Sequence, residues 1–278
     1  MMDLYNETCF ECSKIITQKY STSFSSGIRA FAKKFHYPIY GIYGFVRYAD
    51  EIVDTFHDHD KFYLISDFKA KTFEAIHNKI SLNPVLHSFQ QVVNTYSIDY
   101  PLIEAFLNSM EMDLDKTSYT DSSYKEYIYG SAEVVGLMCL KVFCEGDQVL
   151  HDRLIPTARS LGAAFQKINF LRDIQSDYED RGRTYFPSVD FANFTEADKR
   201  EIENEIKIDF DHALEGIKQL PASSRKGVYI AYVYYCALFD KIKSTPANLV
   251  AQKRIRVSDQ KKMLLMAQAV LKIKLNVL

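Results

Sequence analysis

The chain reads as an all-α protein. Apolar residues recur at three- and four-residue spacing over long segments, whereas period-two alternation bounded by tight turns is scarce. Pro38, Pro84, Pro101, Pro156, Pro187, Pro221 and Pro246 each fall near the start of a periodic run or just beyond its end, where a missing N–H does least harm. No Gly/Ser-rich linker, internal repeat or low-complexity tract interrupts residues 1–278, so one helical domain is expected. At 278 residues and 47% hydrophobic content, it can bury a large core.

The first strongly patterned element is "IYGIYGFVRYADEIVDTF", residues 39–56, which is apolar around most of a helix and therefore reads as buried on nearly all sides. Its polar residues do not scatter. Tyr43, Arg47, Asp50 and Asp54 follow at offsets of four, three and four, which places them in one line along one face, while Glu51 points elsewhere. The "HDHD" that follows, His57 to Asp60, has the wrong period for one helical face and reads as a solvated helix end or loop; as a His/Asp metal site it would need further ligands from other helices.

The second such element, "LGAAFQKINFLRDIQSDYED", carries Gln166, Asn169, Asp173 and Asp177 at offsets of three, four and four on an otherwise apolar helix. A single D-x-x-x-D is ordinarily a solvated helix face. Two on apolar helices, each with amides or an arginine at helical spacing, call for another reading. Carboxylates about 4 Å apart repel by roughly 1 kcal/mol in water and by more inside a protein. Something positive must lie between them. Magnesium suits, because it takes oxygen ligands, keeps waters, and is commonly held by one or two carboxylates together with substrate phosphates.

Bulk properties exclude other classes. A formal net charge of −2 gives no reason to expect nucleic acid as a partner. Cys9, Cys12, Cys139, Cys144 and Cys236 are an odd set, and no charged-then-apolar leader opens the chain, so free thiols and a cytoplasmic location are expected. Cys9 and Cys12 form one C-x-x-C without the second pair that a structural zinc site requires. Glu74 and His77 make one E-x-x-H without the second copy of a di-iron site. No apolar stretch is expected to reach the roughly 18 to 20 residues that cross a bilayer, and the C-terminal "MLLMAQAVLKIKLNVL" is broken by lysines. Peripheral membrane contact stays open. The basic stretch from Lys253 to Lys262 reads as a solvated face, a diphosphate clamp or a patch for anionic lipid.

The pair "RYADEIVD" and "QKINFLRDIQSDYEDRGRTYFP" resembles the two aspartate-rich motifs of the squalene/phytoene synthase family, the head-to-head prenyl transferases. "YSTSFS" (20–25) resembles the family's N-terminal serine motif, and "MEMDL" (110–114) with "YIYGSAEVVGLM" (127–138) its central segment, with wording closest to bacterial phytoene synthases. The resemblance implies a bundle of helices around one central cavity, the isoprenoid synthase type, with the aspartate motifs facing each other across its mouth. It implies two prenyl diphosphate substrates and magnesium, with manganese as a substitute, and NADPH only for a reductive squalene reaction. By position, Asp50, Asp54, Asp173 and Asp177 match metal-binding catalytic acids, with Asn169 beside them. Arg47, Gln166, Asn169 and Arg172 match substrate-pocket positions. Ser21, Tyr129 and Tyr185 match positions that contact diphosphate or sit near the reacting centre, and Arg254 or Arg256 matches a C-terminal diphosphate-binding arginine.

The chain departs from the family pattern at two points. Ala132-Glu133-Val134 stands where a small Ala-Gly-Thr run is usual, which puts Glu133 near the expected cavity; Glu51 replaces a second Asp and, lying off the stripe, is expected to matter little. The expected reaction joins two geranylgeranyl diphosphates through a cyclopropyl diphosphate to phytoene in carotenoid synthesis. Two farnesyl diphosphates, giving squalene or dehydrosqualene, are the alternative. A noncatalytic helical scaffold would explain the helices but not why Asp50, Asp54, Asp173 and Asp177 lie on otherwise apolar faces. Chain-elongating prenyl transferases also pair aspartate motifs, but lack the Q-x-x-N-x-x-R-D-x-x-x-D arrangement.

Overall fold

Phe45 stacks on Phe89 with ring centroids 3.8 Å apart and also meets Phe68 and Phe106, so four helices converge on one aromatic centre. The computed structural model describes residues 1–115, 118–179, 182–187, 189 and 193–275. In order, α1 (Met2–Tyr20), α2 (Thr22–Ile28), α3 (His36–Thr55), α4 (Lys61–Asn78), α5 (Pro84–Tyr96) and α6 (Tyr100–Asp115) build the first half. Then come α7 (Asp121–Ile128), a π-helical turn (Tyr129–Glu133), α8 (Val134–Cys144), α9 (Gln148–Glu179), α10 (Glu196–Gln219), α11 (Ala222–Lys243), α12 (Ala247–Val250) and α13 (Asp259–Lys274). Among the described residues there is no strand, only an isolated parallel bridge between Ser118 and Thr184. The all-α expectation holds.

α3 buries Ile39, Ile42, Phe45, Ala49, Ile52 and Val53 against α1 and α5, as its nearly all-round apolar pattern requires. Gly44 permits close approach: a Cβ there would lie 2.7 Å from Ser13 Oγ on α1. Helix starts follow their sequence signals. Asn83 accepts from the Val85 and Leu86 N–H groups ahead of Pro84 at the first turn of α5, and Asp60 accepts from Tyr63 N–H to cap α4. That cap, on exposed residues, accounts for "HDHD" as a helix boundary. The five cysteines are free thiols.

Two readings need correction. Pro156 does not end a periodic run but lies inside α9. An interior proline costs about 3 kcal/mol, and the packing of this 32-residue helix against α8, α10 and the π turn offsets it. Residues 121–144 are long and apolar enough to cross a membrane, with mean hydropathy 1.4, yet 56% of that window is buried inside the protein, so this stretch is a core element of the bundle.

One core cluster is built mainly from α3 to α6 and α8, and a second from α7 and α9 to α12, where Phe170 stacks on Tyr185 at 4.0 Å. A cavity of about 940 Å³ is lined from both.

Candidate active site

The first polar stripe survives folding and gains a partner. Arg47 pairs with Glu51, approaches Asp50 at 3.8 Å and lies 4.4 Å over the Tyr20 ring. Glu51 is thus off the stripe, as expected, but not without consequence: it holds Arg47, and against partial burial the hydrogen bonds from Thr55 and Arg47 bring its own carboxyl below the usual range. Burial pushes the Asp50 carboxyl up to about 7, against the pull of Arg47 and with the push of Asp54, Asp113 and Glu51. Tyr43 stacks on Phe24 at 4.8 Å, and burial raises its hydroxyl to about 12. Ser21 caps α2 by accepting from Phe24 N–H at 3.1 Å and lines the cavity.

On α9, Asp173 is gripped from two sides. Arg172 bonds both of its oxygens, and Arg254 Nε reaches Oδ1 at 2.9 Å. Asn169 Oδ1 accepts from Tyr235 at 3.3 Å, and Tyr235 itself lies stacked on Phe165 at 3.8 Å. Asp177 is buried one turn further on. The motif's Asp180 and Arg181 lie outside the described residues.

The two stripes meet through residues that sequence reasoning passed over. Arg183 Nη1 donates to Asp54 Oδ1 at 3.1 Å and lies 3.6 Å from Asp113 Oδ1, while Tyr127 donates to Asp113 Oδ2 at 2.8 Å. Burial pushes the Asp113 carboxyl up to about 7; Arg183 and the Tyr127 hydroxyl draw it down, and Asp54 and Asp177 push it up. One buried acid therefore feels both motifs. Asp113 stood in the quoted "MEMDL" and Arg183 in "RGRTYFP", but neither shares a helical stripe with the acids, so periodicity carried no signal for them.

The cavity is apolar and aromatic within, with Phe24, Phe31, Phe143, Phe165, Tyr234 and Tyr235 on its walls, and cationic toward Arg172, Arg254, Arg256, Lys241 and Lys262. Its volume is at the upper end of the ~300–1,000 Å³ usual for ligand pockets. A smaller hollow of about 280 Å³ adjoins it, sharing Arg172 and Arg254 and adding Asp173, Gln175, Ser176 and Glu179. Both arginines left open by the sequence border the cavity, but Arg254 alone of the two contacts an acid of the stripe.

Not every expected residue reaches the cavity: Arg47, Asp50, Asp54, Asp173 and Asp177 are absent from its wall, and of these Asp173 alone borders the smaller hollow. Gln166 is half-buried on α9 and Tyr185 is buried beside Arg183, and neither is part of the cavity wall. Tyr129 sits in the π turn under the Arg159 guanidinium, 5.1 Å away, and is also absent from the wall. Glu133 does not point into the cavity: it pairs with Arg159, and Ser131, Ala132, Val135 and Gly136 form that part of the wall. A turn closed from i to i+5 carries an extra residue, so the face expected from 3.6 residues per turn is lost through it.

Among the described residues no three His, Cys, Asp or Glu side chains converge as a ready-made metal cage. The oxygens that could hold a metal are those of Asp50, Asp54, Asn169, Asp173 and Asp177; the Asp50 and Asp113 carboxyls are raised chiefly by desolvation, with Arg47 and Arg183 opposing it and the neighbouring acids adding to it.

Similarity to known proteins agrees with this geometry. The chain is 26% identical to phytoene synthase 1, chloroplastic, of Solanum lycopersicum over 95% of its own length and 68% of that protein's. It is 28% identical to the phytoene synthase of Arthrospira platensis, covering 95% and 93% of the two chains. The crystal structure of a dehydrosqualene synthase in complex with ligand superposes with a TM-score of 0.83 at 21% identity, covering 97% of this chain and 98% of that one. The squalene/phytoene synthase family model matches residues 17–261, and the chain belongs to that family.

Proposed function

We propose that the protein condenses two prenyl diphosphates head-to-head, as a phytoene synthase-like enzyme acting on geranylgeranyl diphosphate. One observation carries this reading: two acid stripes joined by a buried Asp113–Arg183 pair, with the second stripe's Asn169 and the neighbouring Arg172 on the wall of a large aromatic cavity. Relatives named phytoene synthase over nearly the whole chain support the twenty-carbon substrate. The fifteen-carbon alternative, two farnesyl diphosphates, is supported by a relative named 4,4'-diapophytoene synthase, 24% identical over 94% of this chain.

Magnesium fits the donor set as an ion shared between protein and diphosphate, since it needs only one or two carboxylates and takes its other ligands from water and phosphate. Asp50, Asp54, Asp173 and Asp177 would hold it with Asn169 alongside; when bound, it makes the diphosphate a better leaving group. Arg172 and Arg254 are placed to bind the departing diphosphate oxygens. As one allylic C–O bond breaks, its electron pair leaves with the diphosphate. The double bond of the second substrate then attacks the carbocation, and loss of a proton closes a cyclopropyl diphosphate. A second ionisation releases the other diphosphate, and the rearranged cation loses a proton to give the linear hydrocarbon; in a reductive squalene reaction it would instead take a hydride from NADPH. Phe165, Tyr234 and Tyr235 exclude water from these cations and offer ring faces that attract them.

The partner surface follows from the product. α13 packs on α11 but exposes Met263, Leu264 and Leu271 beside Lys261 and Lys272, while its Lys262 lines the cavity. An apolar stripe flanked by lysines fits peripheral contact with an anionic bilayer.

The test is to incubate the purified protein and magnesium with geranylgeranyl or farnesyl diphosphate, with and without NADPH, and identify the extracted hydrocarbon by mass spectrometry. A forty-carbon product establishes the reading, and a thirty-carbon product moves it to the farnesyl alternative. No product from either would overturn it.

A further inference from the structure

We infer that Arg183, held by Asp113, is a positioning residue that fixes how the first acid stripe faces the second. Its guanidinium and main chain together reach groups on three helices. Nη1 takes Asp54 Oδ1 at the end of α3, Nη1 and Nη2 take the side chain and the main-chain carbonyl of Asp113 on α6, and its own N–H donates to the Asp177 carbonyl on α9 at 2.8 Å. The bridge between Ser118 and Thr184 pins the two chain segments that carry Asp113 and Arg183. Neither side chain is more than 8% exposed.

This arrangement is expensive as pure scaffolding. Buried ion pairs of this kind are often no better for stability than well-packed apolar residues, because desolvation consumes the attraction. Here the pair is also imperfect: among the described residues Asp113 Oδ1 has no hydrogen-bond partner and faces Arg183 at 3.6 Å, while Tyr127 donates to the other oxygen. What the pair provides is geometry. A planar guanidinium can bond a carboxylate, approach a second and bond a carbonyl in fixed directions, which an ammonium cannot do. The inference rests on the proposed function, in which Asp54 must be held within about 0.5 Å of its working position.

The experiment reads metal binding in the ligand-free enzyme, with Mn2+ as the paramagnetic probe and inorganic diphosphate added. Arg183→Gln and Asp113→Asn are each expected to weaken Mn2+ binding by about tenfold or more, the usual effect of losing a group that orients a metal ligand. The double variant should bind no worse than the weaker single one, because the two residues act as one unit. Arg183→Lys should stay weakened. Lys199→Gln, which breaks the buried Lys199–Glu203 pair elsewhere, should lower the melting temperature and leave Mn2+ binding intact. Restoration by Arg183→Lys, additive losses in the double variant, or equal loss in Lys199→Gln would overturn the inference. Tyr127→Phe keeps the question open to test where Arg183→Gln does not fold: unchanged Mn2+ affinity in it also overturns the inference. If the unaltered protein binds no Mn2+ with diphosphate, the functional reading falls as well; if it binds and the variants match it, the positioning role alone falls.

Discussion

Arg254 Nε lies 2.9 Å from Asp173 Oδ1, so the segment between α12 and α13 is fastened onto the second acid stripe across the edge of the cavity. Ile255 and Val257 beside it are buried while Arg254 and Arg256 are exposed, an alternation that anchors the segment and leaves both arginines at the border of the cavity. Only Arg254 also borders the smaller hollow beside Asp173. Arg254→Ala should therefore weaken binding of inorganic diphosphate with magnesium by tenfold or more, since a charge-assisted hydrogen bond contributes about 1.5–3 kcal/mol. Arg256→Ala should cost less. Isothermal titration of both variants decides the register that the sequence left open, and a larger loss for Arg256→Ala would reverse it.

Neutralising a stripe acid separates function from stability. Asp50→Asn and Asp173→Asn each remove one charge meant for a metal-bound diphosphate, and turnover should fall by about a hundredfold to a thousandfold, the scale seen when one preorganised electrostatic group is lost. The ligand-free melting temperature of Asp50→Asn should hold or rise, because Asp50 is half-buried and desolvated near Asp54, Asp113 and Glu51, with Arg47 opposing them. Product assay and circular dichroism on the same samples check both halves. Unchanged activity in both variants would remove the site assignment.

The stripes were legible because α3 and α9 keep regular helical spacing, so Tyr43, Arg47, Asp50 and Asp54 line up in the fold as they do on paper. The start of α9 was not legible, since Pro156 reads as a boundary unless the packing that offsets it is known. Glu133 was misplaced because nothing in Tyr129–Glu133 announces an i to i+5 turn. Asp113 and Arg183 were missed for a topological reason. They are seventy residues apart and meet through the Ser118–Thr184 bridge, a long-range contact that no local period encodes. Glu51 was undervalued because its partner is Arg47 on its own helix, whose orientation it sets, and not the cavity.

The raised carboxyls give the ligand-free protein a definite pH dependence. Asp50 and Asp113 titrate near 7 when folded and near 3.8 as ordinary aspartates, so between those values the native state holds more protons than the unfolded chain. Stability therefore falls as pH rises from about 4 to about 7, and the full penalty is present above 7. Between pH 6 and pH 8, melting temperature should drop in the unaltered protein and drop less in Asp50→Asn. Magnesium with diphosphate, by favouring the ionised acids, should flatten the same profile. A profile that rises over this range would contradict the raised Asp50 and Asp113 carboxyls.

Gly162 offers a test of the cavity wall that touches no charged group. A Cβ at this position would lie 2.8 Å from the Ala132 carbonyl oxygen and 2.9 Å from Glu133 Cα, so α9 and the π turn are in backbone contact there. Backbone cannot swing aside as a side chain does, and Gly162→Ala must push the turn away from α9. Overpacking of this kind costs about 1–3 kcal/mol. Ser131 and Ala132 would move with the turn, and they form the cavity wall on that side. The variant should melt several degrees lower and lose product formation with the longer substrate more than with the shorter, because a displaced wall changes the cavity's shape and leaves the acids in place. Kinetics on both diphosphates, alongside unchanged Mn2+ binding, check this. Equal loss on both substrates would mean that the turn supports the bundle without shaping the pocket.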